Sequence, residues 1–395
     1  MVRVASEPVE SGFLAQRLHG FGTTIFAEMS ALAAETGAIN LGQGFPDTDP
    51  PGEVAEAAVK AIREGFNQYP PGPGIPELRA AIAAHQERFH GLPVDADREV
   101  LVTTGATEAI AAALISLVDP GDEVVTFEPY YDSYAASVAM AGGVLRVATL
   151  RVEGERWAFD PDELRGAVST RTKILLVNSP HNPTGKVLTA EERQVVADVA
   201  IEHDLIVVAD EVYEHLVYDG DHVPMASLPG MAERTLTISS GGKTFQCTGW
   251  KVGWIIGPAD LVSAVRTSKQ FLTYVSGGPL QYGIAVGLGL GDDYFDALRA
   301  ELRERRDQLA VGLADVGFDV PRAEGGYFLT TDVAQVGAYD ARQFCLDLPR
   351  RVGLVAIPSS VFYADPAKGR TYVRWAFCKR PDVIATAVER LQRLR

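Results

Sequence analysis

The amino-acid sequence predicts an α/β protein: a large domain around a mostly parallel sheet, with a smaller α+β domain toward the C-terminus. Three observations predict it. Runs of β-branched and apolar residues alternate with helix-like segments through the middle of the chain, as expected of strands buried on both faces and joined by helices. Beyond about Gly287 the pattern changes to long charged helices and short isolated strands. At 395 residues the chain also exceeds what one small core organises.

The elements follow in order. Val100-Leu-Val-Thr reads as a strand and Thr107 to Leu117 as a helix. Glu123-Val-Val-Thr-Phe is a strand, followed by a helix from Tyr131 to Met140. Lys173-Ile-Leu-Leu-Val-Asn, a helix from Ala190 to His203, and Leu205-Ile-Val-Val-Ala repeat the unit. Thr235-Leu-Thr-Ile-Ser and Gly253-Trp-Ile-Ile-Gly add two strands. Tyr294 to Leu313 is an amphipathic helix, Tyr327-Phe-Leu-Thr and Tyr372-Val-Arg-Trp-Ala are short strands, and Pro381 to Leu394 closes the chain as a helix. Asn40-Leu-Gly-Gln-Gly-Phe-Pro-Asp reads as a connector. The expected division is residues 1–45 as an N-terminal arm packing on the small domain, 46–287 as the large domain, and 288–395 as the small domain.

Composition excludes several function classes. Fifty-two acidic residues against 36 basic give a formal charge of −16, which repels nucleic acid and anionic membrane. An anionic ligand must then be held by a few local cations. Three cysteines without a C-x-x-C argue against a disulfide framework or a structural zinc site and fit a reducing cytoplasm; no metal is expected. Met1 to Pro8 has no apolar signal core. The longest apolar stretch, Ala109 to Val118, is about half of the roughly 20 residues a membrane span needs.

Four segments at expected strand ends carry candidate chemistry. Thr103-Thr-Gly-Ala-Thr-Glu-Ala is either a capping turn or, with free N–H groups and the helix dipole, an anion site. Asn178-Ser-Pro-His-Asn-Pro-Thr-Gly builds a turn, with Asn182 held between His181 and Pro183, and His181 reads as structural. Asp210 follows four apolar residues, so its carboxylate is either a helix cap or the partner of a buried cation, with Tyr213 one helical turn further. Lys243, in Ser239-Ser-Gly-Gly-Lys-Thr-Phe, lies among small residues and near Phe245, Trp250 and Trp254, where burial favours a nucleophilic lysine over a solvated one.

Together these segments resemble fold-type-I pyridoxal-phosphate (PLP) enzymes, specifically class I/II aminotransferases, from about Phe26 to Arg395. Gly22-Thr-Thr-Ile-Phe-Ala-Glu-Met-Ser, Leu41-Gly-Gln-Gly-Phe-Pro-Asp-Thr and Asn67-Gln-Tyr-Pro-Pro-Gly resemble the branch holding methionine aminotransferases, kynurenine aminotransferases (also cysteine-conjugate β-lyases) and actinobacterial N-succinyldiaminopimelate aminotransferases. The resemblance implies pyridoxal 5'-phosphate as cofactor, Lys243 as Schiff-base lysine and proton shuttle, and Asp210 as the partner of the pyridine nitrogen. It also implies Tyr213 and Asn182 at the cofactor's phenolic oxygen, and Tyr131 stacked on the ring. Gly105, Ala106, Thr107, Ser240 and Lys251 would hold the phosphate, Lys251 standing where many class members carry arginine.

Arg374 would fork the substrate α-carboxylate, joined by Asn182 and the Gly44 backbone, with Phe26 as an aromatic lid. Tyr69 would reach the phosphate of a neighbouring subunit, making a homodimer with shared sites. The implied reaction exchanges an amino group between an L-amino acid and a 2-oxo acid such as 2-oxoglutarate. Phe26, Tyr131, Tyr274 and Phe328 suggest a long side chain, with N-succinyldiaminopimelate as the best single substrate. Arg17, Lys269 and Arg322 are candidates by position for its distal carboxylates. The alternatives are methionine or kynurenine transamination, β-elimination by the same site, and, more distantly, a non-catalytic PLP-binding regulator.

Overall fold

The computed structural model describes residues 13–22 and 24–395; the N-terminal octapeptide read for a signal, and Thr23, lie outside the described residues. Seven strands form the central sheet: β1 (Val100–Thr103), β2 (Glu123–Glu128), β3 (Val144–Thr149), β4 (Thr172–Asn178), β5 (Ile206–Asp210), β6 (Thr235–Ser240) and β7 (Gly253–Ile256). Their spatial order is β1-β7-β6-β5-β4-β2-β3. All neighbouring pairs are parallel except those of β7, which runs antiparallel to both β6 and β1. The apolar runs in β1, β4, β5 and β6 are buried, as helices on both faces require.

That single reversal positions the site. The parallel strands deliver Thr103, Asn178, Asp210 and Ser240 to one edge of the sheet, where α/β proteins gather ligands. Because β7 runs the other way, its start joins the same edge: Gly253 sits opposite both Thr103 and Ser240. A Cβ on Gly253 would lie 2.6 Å from the Gly105 carbonyl carbon, so only glycine allows the close approach.

A second core unites the beginning and end of the chain. Ile25, Met29 and Leu41 are buried with Leu302, Leu309, Phe344, Trp375 and Leu391, around a three-stranded sheet of Phe328–Asp332, Tyr372–Ala376 and Ile357–Pro358. The expected connector contains a short strand instead: Ile39–Asn40 pairs in parallel with Leu354–Val355. Two residues are too few to leave an alternating signature.

Helix starts also differ from expectation. The first large-domain helix at the sheet edge begins at Gly105 rather than Thr107, so Thr107 is not its cap. The next runs Ser133–Ala141, leaving Tyr131 in the preceding turn, and the long helix spans Asp292–Ala314. No described helix is long and apolar enough to cross a membrane.

Candidate active site

Asp210 ends β5 and is 5% exposed. Burial pushes its carboxyl up to about 6, against the Tyr134 hydroxyl, which donates to Oδ2 at 2.5 Å, and the Val212 N–H. A carboxylate buried this deeply is comfortable only with a cation facing it. On the neighbouring strand, Asn178 pairs in register with Asp210. Its amide donates to the Asp210 carbonyl at 2.8 Å, and its Oδ1 accepts the Asn182 N–H at 2.8 Å. Asn178 therefore sets the loop that presents Asn182. His181 is buried in that loop against the Thr184 hydroxyl, and burial pushes it down to about 3. It stays neutral and structural, as expected.

Lys243 lies in the short helix Gly241–Thr244 directly after β6. Its Nζ donates to the Tyr327 hydroxyl at 2.8 Å, and that hydroxyl donates to the Gly44 carbonyl at 2.5 Å. Burial lowers the amine to about 8, with Lys251 and Arg374 adding to the effect while Asp210 opposes it. A lysine so placed supplies a substantial neutral fraction near physiological pH. Tyr213 is buried edge-on to Tyr327, ring centroids 5.0 Å apart.

Arg374, on the middle strand of the small sheet, is 1% exposed. Its Nη1 donates to Asn182 Oδ1 at 3.0 Å and Nη2 to the Gly42 carbonyl at 2.8 Å, while Nε has no partner. The guanidinium lies 4.0 Å from the Phe328 ring centroid and about 5 Å from those of Phe26 and Phe362. Burial lowers its pKa to about 10, so it remains charged at neutral pH. Gly44 cannot be replaced cheaply here, since a Cβ would meet the Phe328 ring at 2.5 Å.

The opposite end is built for an anion. Gly105, Ala106 and Thr107 open a 13-residue helix whose N-cap, Thr104, makes no side-chain capping bond. Its first N–H groups and dipole face the cavity edge. Lys251 enters in a left-handed conformation, φ 55°, with Nζ 3.1 Å from where a Gly105 Cβ would stand. Ser240 lines the same end, and Tyr131 forms one wall. Together with Phe26, Gly44, Asn182, Asp210, Tyr213, Lys243 and Arg374 they line one cavity of about 300 Å³.

An anion cradle, an aromatic wall, a buried carboxylate and a lysine of lowered pKa thus share that cavity. This set fits a phosphorylated pyridine aldehyde such as PLP: the carboxylate suits a protonated ring nitrogen and the uncapped helix start suits the phosphate.

Tyr69 is not brought to this cavity. It is 80% exposed and packs edge-on against Tyr274, itself 54% exposed. The three cations considered for a distal carboxylate do not line the cavity either. Lys269 is buried on the inner side of its helix, and its Nζ caps the Tyr274 carbonyl at 2.7 Å. Arg322 pairs with Asp219 at 2.9 Å, and Arg17 is exposed in the turn Gln16–Leu18. Sequence reasoning had only position along the chain for these three, and helix facing decided against Lys269.

Residues that sequence reasoning missed are Tyr134, Asn178 and Tyr327. Tyr134 stands three residues after Tyr131, a spacing that shares a helical face, but only the fold puts Asp210 against it.

Comparison with known proteins adds a family. A model described as aminotransferase class I and II matches residues 36–391. A probable N-succinyldiaminopimelate aminotransferase of Mycobacterium tuberculosis is 52% identical over 385 residues, covering 95% of this chain and 97% of the relative. The solved structure of N-succinyldiaminopimelate aminotransferase from that organism superposes with a TM-score of 0.95 at 51% identity, covering 97% of this chain and all of the other. Kynurenine–oxoglutarate transaminase 3 of Rattus norvegicus is 40% identical over 404 residues, covering 95% and 89%. A methionine aminotransferase structure from Escherichia coli has a TM-score of 0.92 at 38% identity, covering 96% and 99%.

Proposed function

We propose, for a chain that belongs to the class I and II aminotransferases, that the amino donor is N-succinyldiaminopimelate and the acceptor 2-oxoglutarate. The chain is a PLP-dependent aminotransferase of fold type I. The observation that carries the substrate reading is 52% identity across 95% of the chain to a relative bearing that activity in its name.

The bound cofactor supplies an electron sink for the bond broken at the substrate α-carbon. In this reading Asp210 would hold the ring nitrogen protonated, and Asn182 and Tyr213 would donate to the phenolic oxygen. Lys243 would be the attachment point for the cofactor, and its amine would take the substrate α-proton and return it. The hydrogen bond to Tyr327 aims its Nζ. Arg374, held by Asn182 and Gly42, turns its fork to the α-carboxylate. Phe26 and Tyr131 would shield the reacting carbon from water, and Gly105, Ala106, Thr107, Ser240 and Lys251 would hold the phosphate. Residues 1–45, 46–287 and 288–395 would then act as arm, cofactor domain and small domain. The three free cysteines are buried, which suits the cytoplasm.

A second reading is favoured by the aromatic lining around Arg374: Phe26, Phe328 and Phe362 suit methionine or kynurenine side chains. kcat/KM measured for N-succinyldiaminopimelate, methionine and kynurenine with 2-oxoglutarate decides between them. We expect N-succinyldiaminopimelate to lead by at least about tenfold, about 1.4 kcal/mol of transition-state binding. A preference for methionine or kynurenine selects the second reading, and a preference for aspartate removes both. Product analysis in the same assay separates transamination from β-elimination, which would use the same residues.

The acidic distal end of that substrate needs a cation beyond Lys243, Lys251 and Arg374, and among the described residues no other lines the cavity. A homodimer with shared sites fits this, and it fits the exposure of Tyr69, Phe271 and Tyr274. Mixing Tyr69→Phe with Arg374→Ala chains should restore activity above the mean of the parents, toward about a quarter of wild-type sites on random pairing. Activity that simply averages the two parents would refute sharing.

A further inference from the structure

Transamination leaves a second buried polar cluster unused. Four of the chain's seven histidines, His85, His90, His215 and His222, meet Glu214 and Glu211 between the Pro76–His90 helix and the turn that follows Asp210. Their positions are separated by up to 137 residues in sequence, and the His85–His215 contact alone spans 130, so no ligand spacing shows along the chain. We propose that His85, His215 and Glu214 bind one divalent transition-metal ion of the zinc class, cross-linking that helix to the turn carrying Asp210 and Tyr213.

Geometry comes first. One ligand atom from each of the three residues lies within 4.8 Å of the other two. His85 and His215 face each other through Nε2 at 2.7 Å, a contact in which one ring must carry a proton between them. Moving that proton to Nδ1 of the same ring frees both Nε2 lone pairs without changing the proton count. Zinc–nitrogen bonds of ~2.0–2.1 Å in a tetrahedral site set the nitrogens ~3.3 Å apart, so the pair must open by about 0.6 Å. His85 Nδ1 has no hydrogen-bond partner although the side chain is 2% exposed. A buried unpaired ring nitrogen is unfavourable, and it leaves Nδ1 free to take the proton that Nε2 gives up.

The chemistry of the donors selects the ion. Two imidazoles and one carboxylate with a fourth position left to water suit zinc-class ions, whereas magnesium and calcium favour all-oxygen sets. Both rings are buried, and a neutral imidazole offers one nitrogen lone pair to a metal.

Supporting contacts orient the carboxylate. Ser239 donates to Glu214 Oε1 at 2.5 Å, and His90 bonds Oε2 at 2.8 Å. Such outer contacts are what fix a metal-binding carboxylate. The Phe89 and Phe295 rings lie 4.8 and 4.4 Å from the His215 ring and give the site an apolar wall.

The test uses the PLP-loaded enzyme after dialysis against a chelator. Zinc chloride is titrated calorimetrically and bound zinc is counted by mass spectrometry. We expect about one zinc per chain and a Tm rise of roughly 1–4 °C at saturation. Both should be lost in His85→Asn and in Glu214→Gln, and both kept in the surface control His203→Asn. Anomalous diffraction at the zinc edge from wild-type crystals locates the ion without relying on any variant: a peak between His85 and His215 is the expected result. No saturable uptake, uptake kept by both site variants, or a peak elsewhere overturns the proposal.

Discussion

Lys243→Ala should lower kcat by about a thousandfold or more, since it removes both the attachment point and the acid–base group. Among the described residues its one hydrogen bond goes to the Tyr327 hydroxyl at 2.8 Å, and its Nζ lies 5.7 and 5.4 Å from the Tyr213 and Tyr327 ring centroids, so the variant should fold and keep most of its thermal stability. It should still take up the cofactor without a covalent bond, because the anion cradle at Gly105–Thr107, Ser240 and Lys251 and the carboxylate at Asp210 remain. Stopped-flow and steady-state rates with the best amino donor give the measurement. A variant within tenfold of wild type would assign the proton transfer to another group, with Tyr327 the nearest to inspect.

Asp210→Asn should depress turnover by about 10²- to 10⁴-fold while leaving the fold intact, because an amide cannot hold the ring nitrogen protonated. The same substitution has a stability signature. In the apoprotein, burial raises the Asp210 carboxyl to about 6, above its ordinary value near 3.8. A group raised on folding contributes stability that is fully present below its unfolded pKa and is lost as pH rises through the folded one. The wild-type apoprotein should therefore lose on the order of 3 kcal/mol relative to Asp210→Asn between about pH 4 and 6. Cofactor binding should remove that penalty by pairing the carboxylate. Urea melts of both apoproteins across this range test it, and parallel stability profiles would show that Asp210 is not desolvated as described.

Much of this site was legible in the sequence because its parts sit at strand ends. Lys243 among glycines and serines, Asp210 after an apolar run, and Asn182 between His181 and Pro183 each show an abrupt change of residue type where a buried strand stops. The parallel order then brings such ends together without further information. Arg374 was legible through its motif, not through its pattern: a charged residue in the middle of Tyr372–Ala376 reads as solvent-facing until the second sheet buries it.

What stayed hidden depends on contacts across long separations. Tyr327 reaches Lys243 from 84 residues away and Tyr134 reaches Asp210 from 76; a lone tyrosine in an apolar segment looks like core. Lys269 shows the opposite failure. Its charge suggested an entrance role, yet the helix turns it inward to cap backbone carbonyls. The antiparallel β7 was read as one more strand of the sheet, and only its pairing explains why Lys251 meets Gly105.

One lysine, Lys243, is central to the site. Borohydride reduction of the PLP-loaded enzyme, followed by proteolysis and mass-spectrometric mapping, records which side chain carries the cofactor. The site described here predicts a single labelled peptide modified at Lys243, with Lys251, Lys186 and Lys269 unlabelled. Stoichiometric label on any other lysine, with Lys243 free, would contradict it.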